Sequence, residues 1–268
     1  SIRIGALQLN IYRMIFADIF IVITFLILGF KPEISMIQVF YLSISGLIGL
    51  VFGDSFLFKA FKLIGPRVSL LIMSINPAIA AILAYYFLHE SLSLWSVLGI
   101  ALTLSGIFLV LKDKPEKNGR FRISAKGVTF AFMGALGQAV GLIFAKSAFF
   151  EGDVNWLGAT FVRMTASIPA LIIISYFMGR KLRPIETVFR DKKTFKMLFL
   201  GSIIGPYLGI TLSFVAVVHA KVGIASTLMS TVPIFMLPLT RIIYKEKFTV
   251  FSVLGAIITV IGVAILFL

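Results

Sequence analysis

The sequence has no cysteine, two histidines, two tryptophans and only 11 acidic residues against 25 Lys and Arg. Without cysteine there is no disulfide framework, no thiol nucleophile and no thiolate metal site. His89 and His219 stand far apart, at helix ends, and no carboxylate pair or third ligand completes a metal set around them. No metal and no cofactor are therefore expected. No hydroxyl–histidine–acid arrangement and no Gly-rich phosphate loop occurs either, so the chain does not read as an enzyme. Charge itself is scarce: 13% of residues are charged, about half the 25% usual in soluble domains. The net charge of +14 would suit nucleic acid, but the basic residues form short clusters between apolar runs. No basic groove or zinc spacing accompanies them, and no nucleic-acid partner is expected.

What fills the chain is apolar: 59% of the 268 residues are hydrophobic and the mean hydropathy is +1.06. Runs of about 20 apolar residues recur from end to end, long enough to cross a hydrocarbon layer as helices. Nine spans are predicted, at 6–29, 36–58, 68–88, 93–111, 127–149, 156–178, 196–218, 222–243 and 248–268. The expected class is an all-α polytopic membrane protein, with the lipid bilayer as its solvent.

The sequence is also written twice. Between 73–111 and 229–267, eleven of 39 positions are identical at an offset of 156, including Pro77/Pro233, Glu90/Glu246, Gly99/Gly255 and Gly106/Gly262. Earlier, "YRM" at 12–14 meets "VRM" at 162–164 at an offset of 150, and Gly49 and Gly53 meet Gly205 and Gly209 at 156. A period this long marks duplicated halves rather than a solenoid. The repeats are read as 1–118, with four spans, and 119–268, with five, together forming one membrane domain. Span 127–149 has no counterpart in the first half, so a tenth helix is expected upstream of Ser1. Five spans per half is an odd number, which forces the halves to insert with opposite orientation, the inverted-repeat plan of many carriers.

Charge orients the spans. Twenty of the 25 basic residues fall on one set of span ends, in segments 59–67, 112–126, 179–196 and 241–247 and at Arg3. Only Lys31, Lys146 and Lys221 fall on the other. The positive-inside rule makes the first set cytoplasmic; the expected compartment is a prokaryotic plasma membrane.

Several polar residues stand out against this background. Arg13 and Arg163 lie several residues inside their spans, where an isolated charge faces the bundle interior. Asp54 reaches a depth similar to Arg13, so the two form either a buried ion pair or a site where Asp54 is a protonatable coupling group. The second half has Ile210 in place of Asp54, which leaves Arg163 to bind a substrate carboxylate or helix-end carbonyls. Asp18 is deeper, and is either a second coupling candidate or a residue turned to a water-filled cavity. Ser69, Ser74 and Asn76 beside Pro77 are echoed by Ser226, Thr227, Ser230 and Thr231 beside Pro233. Proline frees a helix carbonyl, so a kinked polar stretch at mid-depth suits a solute path, although each hydroxyl alone reads as ordinary helix packing. Gln138, within "GALGQAVG", is a further cavity candidate, while the glycines around it read as packing. Glu90 and Glu246 follow one span and precede the next, the place for a carboxylate to cap the following helix.

Pro77-Glu90-Gly99-Gly106, repeated as Pro233-Glu246-Gly255-Gly262, together with "AFKLIGPRVSLLIMSINP", "AVVHAKVGIASTLMSTVP", Arg13 and Arg163, resembles an EamA-type permease of the drug/metabolite transporter superfamily. The resemblance covers essentially the whole chain. It implies a secondary transporter, in the direction of export, of small polar or amphipathic metabolites such as amino-acid-like solutes. Its rivals are a lipid-linked-sugar flippase subunit and a non-transporting receptor or scaffold. The expected partners are a small-molecule substrate and the bilayer; monomer and homodimer are left open.

Overall fold

A computed structural model describes residues 6–29, 32–113, 124–177, 191–231, 234 and 250–265. The described residues are helical, with no strand among them. The helices are α1 (Ala6–Leu28), α2 (Met36–Gly46), α3 (Asp54–Met73), α4 (Asn76–Leu88), α5 (Leu94–Asp113), α6 (Ala125–Phe150), α7 (Trp156–Phe177), α8 (Lys192–Ser202), α9 (Thr211–His219), α10 (Val222–Met229) and α11 (Val250–Ile265). Two π-helical segments join helices end to end: π1 (Leu47–Gly53) links α2 to α3, and π2 (Ile203–Ile210) links α8 to α9. Six described stretches are long and apolar enough to cross a membrane: Leu7–Leu28, Met36–Pro66, Val68–Leu88, Ala125–Phe150, Trp156–Phe177 and Thr194–His219. Pro233, Glu246 and most of segments 112–126, 179–196 and 241–247 lie outside the described residues.

The helix ends follow from local chemistry. Ser35 and Gln38 form a reciprocal capping box at the start of α2, with bonds of 3.3 and 3.0 Å. Ser93 caps α5 at Ser96 N, Ser124 caps α6 at Gly127 N, and Asn155 caps α7 at Leu157 N. α1 is followed by Gly29 at φ 61°, a left-handed position that glycine takes without steric penalty. α4 stops at His89, whose φ of 54° is the one positive value at a described non-glycine residue.

Segment 59–67 holds the break between the second and third predicted spans, but the break is shorter than a loop of nine residues. Helix runs from Asp54 to Ile64, Gly65 leaves it at φ 79° ahead of Pro66, and the next apolar span starts at Val68. Proline disfavours helical backbone in the residue before it, and glycine absorbs the distortion. A second, slighter interruption follows at Ser74–Ile75, where α3 ends and α4 begins. α10 ends in the same way at Met229, 156 residues after Met73. The turn bonds repeat as well: Ala78 N to Ile75 O at 3.0 Å is matched by Ile234 N to Thr231 O at 2.9 Å. The π segments fall at the same offset, since Leu47 and Gly53 become Ile203 and Gly209.

The chain divides into two compact units, residues 1–51 with 144–219 and residues 52–143 with 220–268. Each unit draws helices from both sequence repeats. In the first unit the core is formed by Ile11, Met14, Ala17 and Ile21 of α1 with Leu157, Met164 and Leu171 of α7. These two helices are repeat counterparts. Asp18 meets Thr165 and Phe25 meets Phe161, so numbering rises along one as it falls along the other: the pair is antiparallel.

In the second unit the counterparts α5 and α11 also pack antiparallel. A side chain at Gly106 would collide with Thr259 and the Gly255 carbonyl, and one at Gly262 with Thr103 and the Gly99 carbonyl. Thr103 and Thr259 are themselves 156 residues apart. Each contact therefore has a mate with the two helices exchanged, the signature of a local two-fold axis. Small residues allow this approach, the usual basis of helix association in lipid.

Candidate functional site

Two polar constellations arise, one in each unit. In the second unit, α3 opens on Asp54 directly after π1, and Gln138 of α6 donates from Nε2 to Asp54 Oδ1 at 2.7 Å. The contact depends on glycines. A Cβ at Gly53 would stand 3.3 Å from the Gly134 carbonyl and the Gln138 nitrogen, and one at Gly137 would stand 3.0 Å from Gly53 Cα. Close backbone approach thus brings a carboxylate and an amide together inside apolar spans. π segments recur at such functional positions in helices.

The interrupted helices form the other part of this unit. Ser226 of α10 donates to Asn76 Oδ1 of α4 at 3.3 Å. Ser74 donates to Leu71 O, Ser230 to Ser226 O and Thr231 to Leu228 O. Ser69 and Thr227 are fully buried and back-bond to Gly65 and Gly223, so their hydroxyls are spent on their own helices. Of the predicted polar face, Asn76 and Ser226 are brought together across α4 and α10, whereas Ser69 and Thr227 donate within their own helices.

Glu90 caps a helix, but a different one from the helix that follows it. Its Oε2 accepts from Val222 N at 2.7 Å, at the first residue of α10. Lys221 Nζ donates to the Ser91 carbonyl beside it. The α4–α5 link is thereby fastened to the start of α10, 132 residues away in sequence, a distance no local pattern reveals. α5 takes its cap from Ser93 instead.

In the first unit, Arg13 donates from Nε and Nη2 to the Gly201 carbonyl, at 3.2 and 3.0 Å. In a π turn that carbonyl would take its hydrogen from residue 206, and Pro206 has none to give. The guanidinium supplies the donor that the proline withholds. It needs room to do so: a Cβ at Gly205 would overlap Arg13 Nη2. Arg163 is buried with its guanidinium carbon 5.1 Å from the centre of the Phe214 ring, a cation–π distance. Its own carbonyl accepts from Ser167 and abuts Gly46.

Asp18 accepts from the Thr165 hydroxyl at 2.9 Å through Oδ2, while its Oδ1 is buried and accepts nothing among the described residues. Thr165 is exposed. Thr165 was not singled out by sequence reasoning, and neither was Lys146 as more than a span-end charge. Lys146 is buried and donates to the carbonyls of Val217 and Val218 at 2.6 and 3.3 Å, a cation at the negative end of α9. Its position inside the apolar run "LIFAKSAFF" was the available signal.

Residues 1–112 and 125–268 match the model of the EamA-like transporter family. The uncharacterized transporter YyaM of Bacillus subtilis (strain 168) is 26% identical over 228 residues, which is 81% of this chain and 70% of that protein. A solved structure described only as the crystal structure of a protein superposes with a TM-score of 0.79 at 17% identity. It covers 99% of this chain and 90% of its own, a likeness of fold. Members of this family are transporters. With the family model matching both halves on either side of residues 113–124, the chain belongs to the EamA-like transporter family.

Proposed function

We propose that this protein is a secondary carrier of small polar or amphipathic metabolites, working by alternating access between two inverted repeats in a prokaryotic plasma membrane. The observation that carries the reading is the antiparallel packing of repeat counterparts, α5 with α11 and α1 with α7. Counterpart helices that point in opposite directions are what an inverted duplication requires, and carriers built this way expose one site to either side by exchanging the conformations of their repeats. The repeated interruptions after Met73 and Met229 are tight turns at matching points of the two repeats, where such carriers break their helices. Asn76, Ser226, Gln138 and Asp54 are the polar groups proposed to meet the solute in the second unit, with Arg163 and Asp18 in the first.

Export is the direction favoured by family likeness. Energy comes from the solute gradient or from proton exchange through Asp54 or Asp18, the two carboxylates within apolar spans. The cytoplasmic assignment of the basic ends draws support within the second unit. Lys59 and Lys126 both lie over the Phe130 ring, at 5.6 and 5.9 Å, whereas Lys221 lies beside Ser91.

Proteoliposome flux tests the proposal. Reconstituted protein is expected to accelerate efflux of at least one solute from a loaded metabolite panel, above the rate in empty vesicles. Identical rates across the whole panel, including fluorescent lipid-linked probes, would remove the carrier reading. Flux driven by an imposed pH gradient is expected to vanish in Asp54→Asn or in Asp18→Asn; unchanged flux in both leaves the solute gradient as the only driving force.

A further inference from the structure

The local two-fold that relates α1 to α7 makes a specific demand on Asp18 and Thr165. At the 150-residue offset, the counterpart of Asp18 is Ile168 and that of Thr165 is Ile15. Both isoleucines pack against the apolar core of the first unit. One of two equivalent contacts is therefore apolar, which shows that this helix pair closes without polar groups. The Asp18–Thr165 pair is an addition to the packing, and inside an apolar span such an addition is costly unless something compensates it.

Its chemistry is one-sided. Thr165 gives its only hydroxyl proton to Asp18 Oδ2, so what remains is acceptor capacity: the lone pairs of Thr165 Oγ1 and the whole of Oδ1. Oδ1 is buried and accepts no hydrogen bond. Oδ2, which already takes the Thr165 proton, keeps a further lone pair on the exposed side where Thr165 lies. The basic residues inside this unit are aimed elsewhere, Arg13 at Gly201 O, Arg163 at Phe214 and Lys146 at Val217 O and Val218 O. An acceptor-only pair is complementary to a donor-only group. On the same helix faces, two turns along α1 and one turn along α7, Phe25 and Phe161 meet edge to face at 5.9 Å. They offer apolar and cation-attracting surface next to the pair.

We propose that Asp18 and Thr165 form a subsite for the protonated amine of an amphipathic solute, with the ammonium on the carboxylate and hydroxyl oxygens and the apolar part toward Phe25 and Phe161. The inference rests on the carrier reading and narrows it to amine-bearing substrates. A bare alkali ion fits less well, because two side-chain oxygens beside two phenyl rings fall short of the six or so oxygens that hard cations collect.

The test uses the purified full chain and three probes: phenethylammonium, its neutral isostere 2-phenylethanol, and sodium ion against choline. Calorimetric titration is expected to show phenethylammonium binding and no comparable signal from the alcohol. Asp18→Asn is expected to weaken the ammonium by at least about tenfold, as removal of one partner of a hydrogen-bonded charge pair does. Thr165→Val is expected to weaken it severalfold, with Thr165→Ser restoring it. If Asp18→Asn does not fold, the Thr165 pair of variants decides. Equal binding of ammonium and alcohol, an unaltered affinity in Asp18→Asn and Thr165→Val, or a response to sodium in place of the amine would each overturn the proposal. Flux of neutral solutes in reconstituted vesicles separates the two readings: if it persists while amines do not bind, the subsite fails and the carrier stands.

Discussion

α5 with α11 and α1 with α7 are both pairs of repeat counterparts, both packed antiparallel, yet they have aged differently. The α5–α11 pair has kept the same residues on both sides of its two-fold: Gly99 and Gly255, Thr103 and Thr259, Gly106 and Gly262. The α1–α7 pair has kept only Leu7/Leu157, the Arg-Met dipeptide and Ile23/Ile173, and Asp18 faces Thr165 where the mate positions hold Ile168 and Ile15. The first pair carries constraint on shape, because backbone meets backbone and no larger residue fits. The second, on the subsite proposed above, carries chemistry: its mate positions are isoleucines, and one position holds a charged group instead.

The strongest way to sharpen the contrast is to strain the symmetric pair from either side. Leucine at Gly106 or at Gly262 would press into backbone, the Gly255 carbonyl at 2.5 Å in one case and Thr103 N at 2.5 Å in the other. Each substitution is expected to cost about 3 kcal/mol or more, the upper range for overpacking, and to reduce the yield of monodisperse protein on fluorescence-detected size exclusion by a similar factor. Similarity is the point. A tolerated Gly262→Leu beside a ruinous Gly106→Leu would break the two-fold.

The asymmetric pair predicts the reverse combination. Asp18→Ile with Thr165→Ile rebuilds the apolar contact of the mate positions. Removing a partly desolvated carboxylate whose inner oxygen has no partner among the described residues relieves a cost that the apolar mate positions do not bear. The double variant should therefore melt at or above the wild-type temperature. Transport should nonetheless be lost. A double variant that is both destabilised and fully active would mean that the polar pair serves packing after all.

Much of the symmetric pair was legible in the sequence. Identical glycines at one offset need only alignment to be seen, and an odd number of spans per repeat implies opposite insertion. What escaped reading depended on distance or on one residue absorbing a distortion. Lys59, Lys62, Gly65, Pro66 and Arg67 look like a loop by composition. The break is instead confined to Gly65 ahead of Pro66, with helix on either side, so most of these residues lie on helix ends. Glu90 was legible as a cap, but its partner Val222 was not. The π segments carry no motif, and the role of Arg13 depends on a proline 193 residues later.

That dependence gives the next prediction. Arg13→Met removes a charged donor from the Gly201 carbonyl and is expected to destabilise by about 2 kcal/mol, the scale of a hydrogen bond to a charged group. In a Pro206→Ala background the backbone N–H returns and the same substitution should cost less than half as much. Thermal unfolding of the four proteins forms a double-mutant cycle. Strict additivity would show that Arg13 acts independently of the proline, and the stated reason for its position would fall.

The smallest effect lies back in the symmetric pair, where the two-fold fails at a single atom. Thr259 Oγ1 donates within its own helix to Gly255 O at 2.9 Å and lies 3.4 Å from Thr103 O. The hydroxyl of Thr103 is buried and has no partner among the described residues. Valine has nearly the same shape as threonine, so each Thr→Val exchange changes polarity with little change in volume. Thr259→Val gives up a satisfied bond and is expected to cost about 1 kcal/mol, whereas Thr103→Val relieves a buried, unmatched hydroxyl and should be neutral or stabilising by a similar amount. Equal losses in melting temperature for the two variants would mean that both hydroxyls are satisfied in the membrane and that the two-fold extends to them.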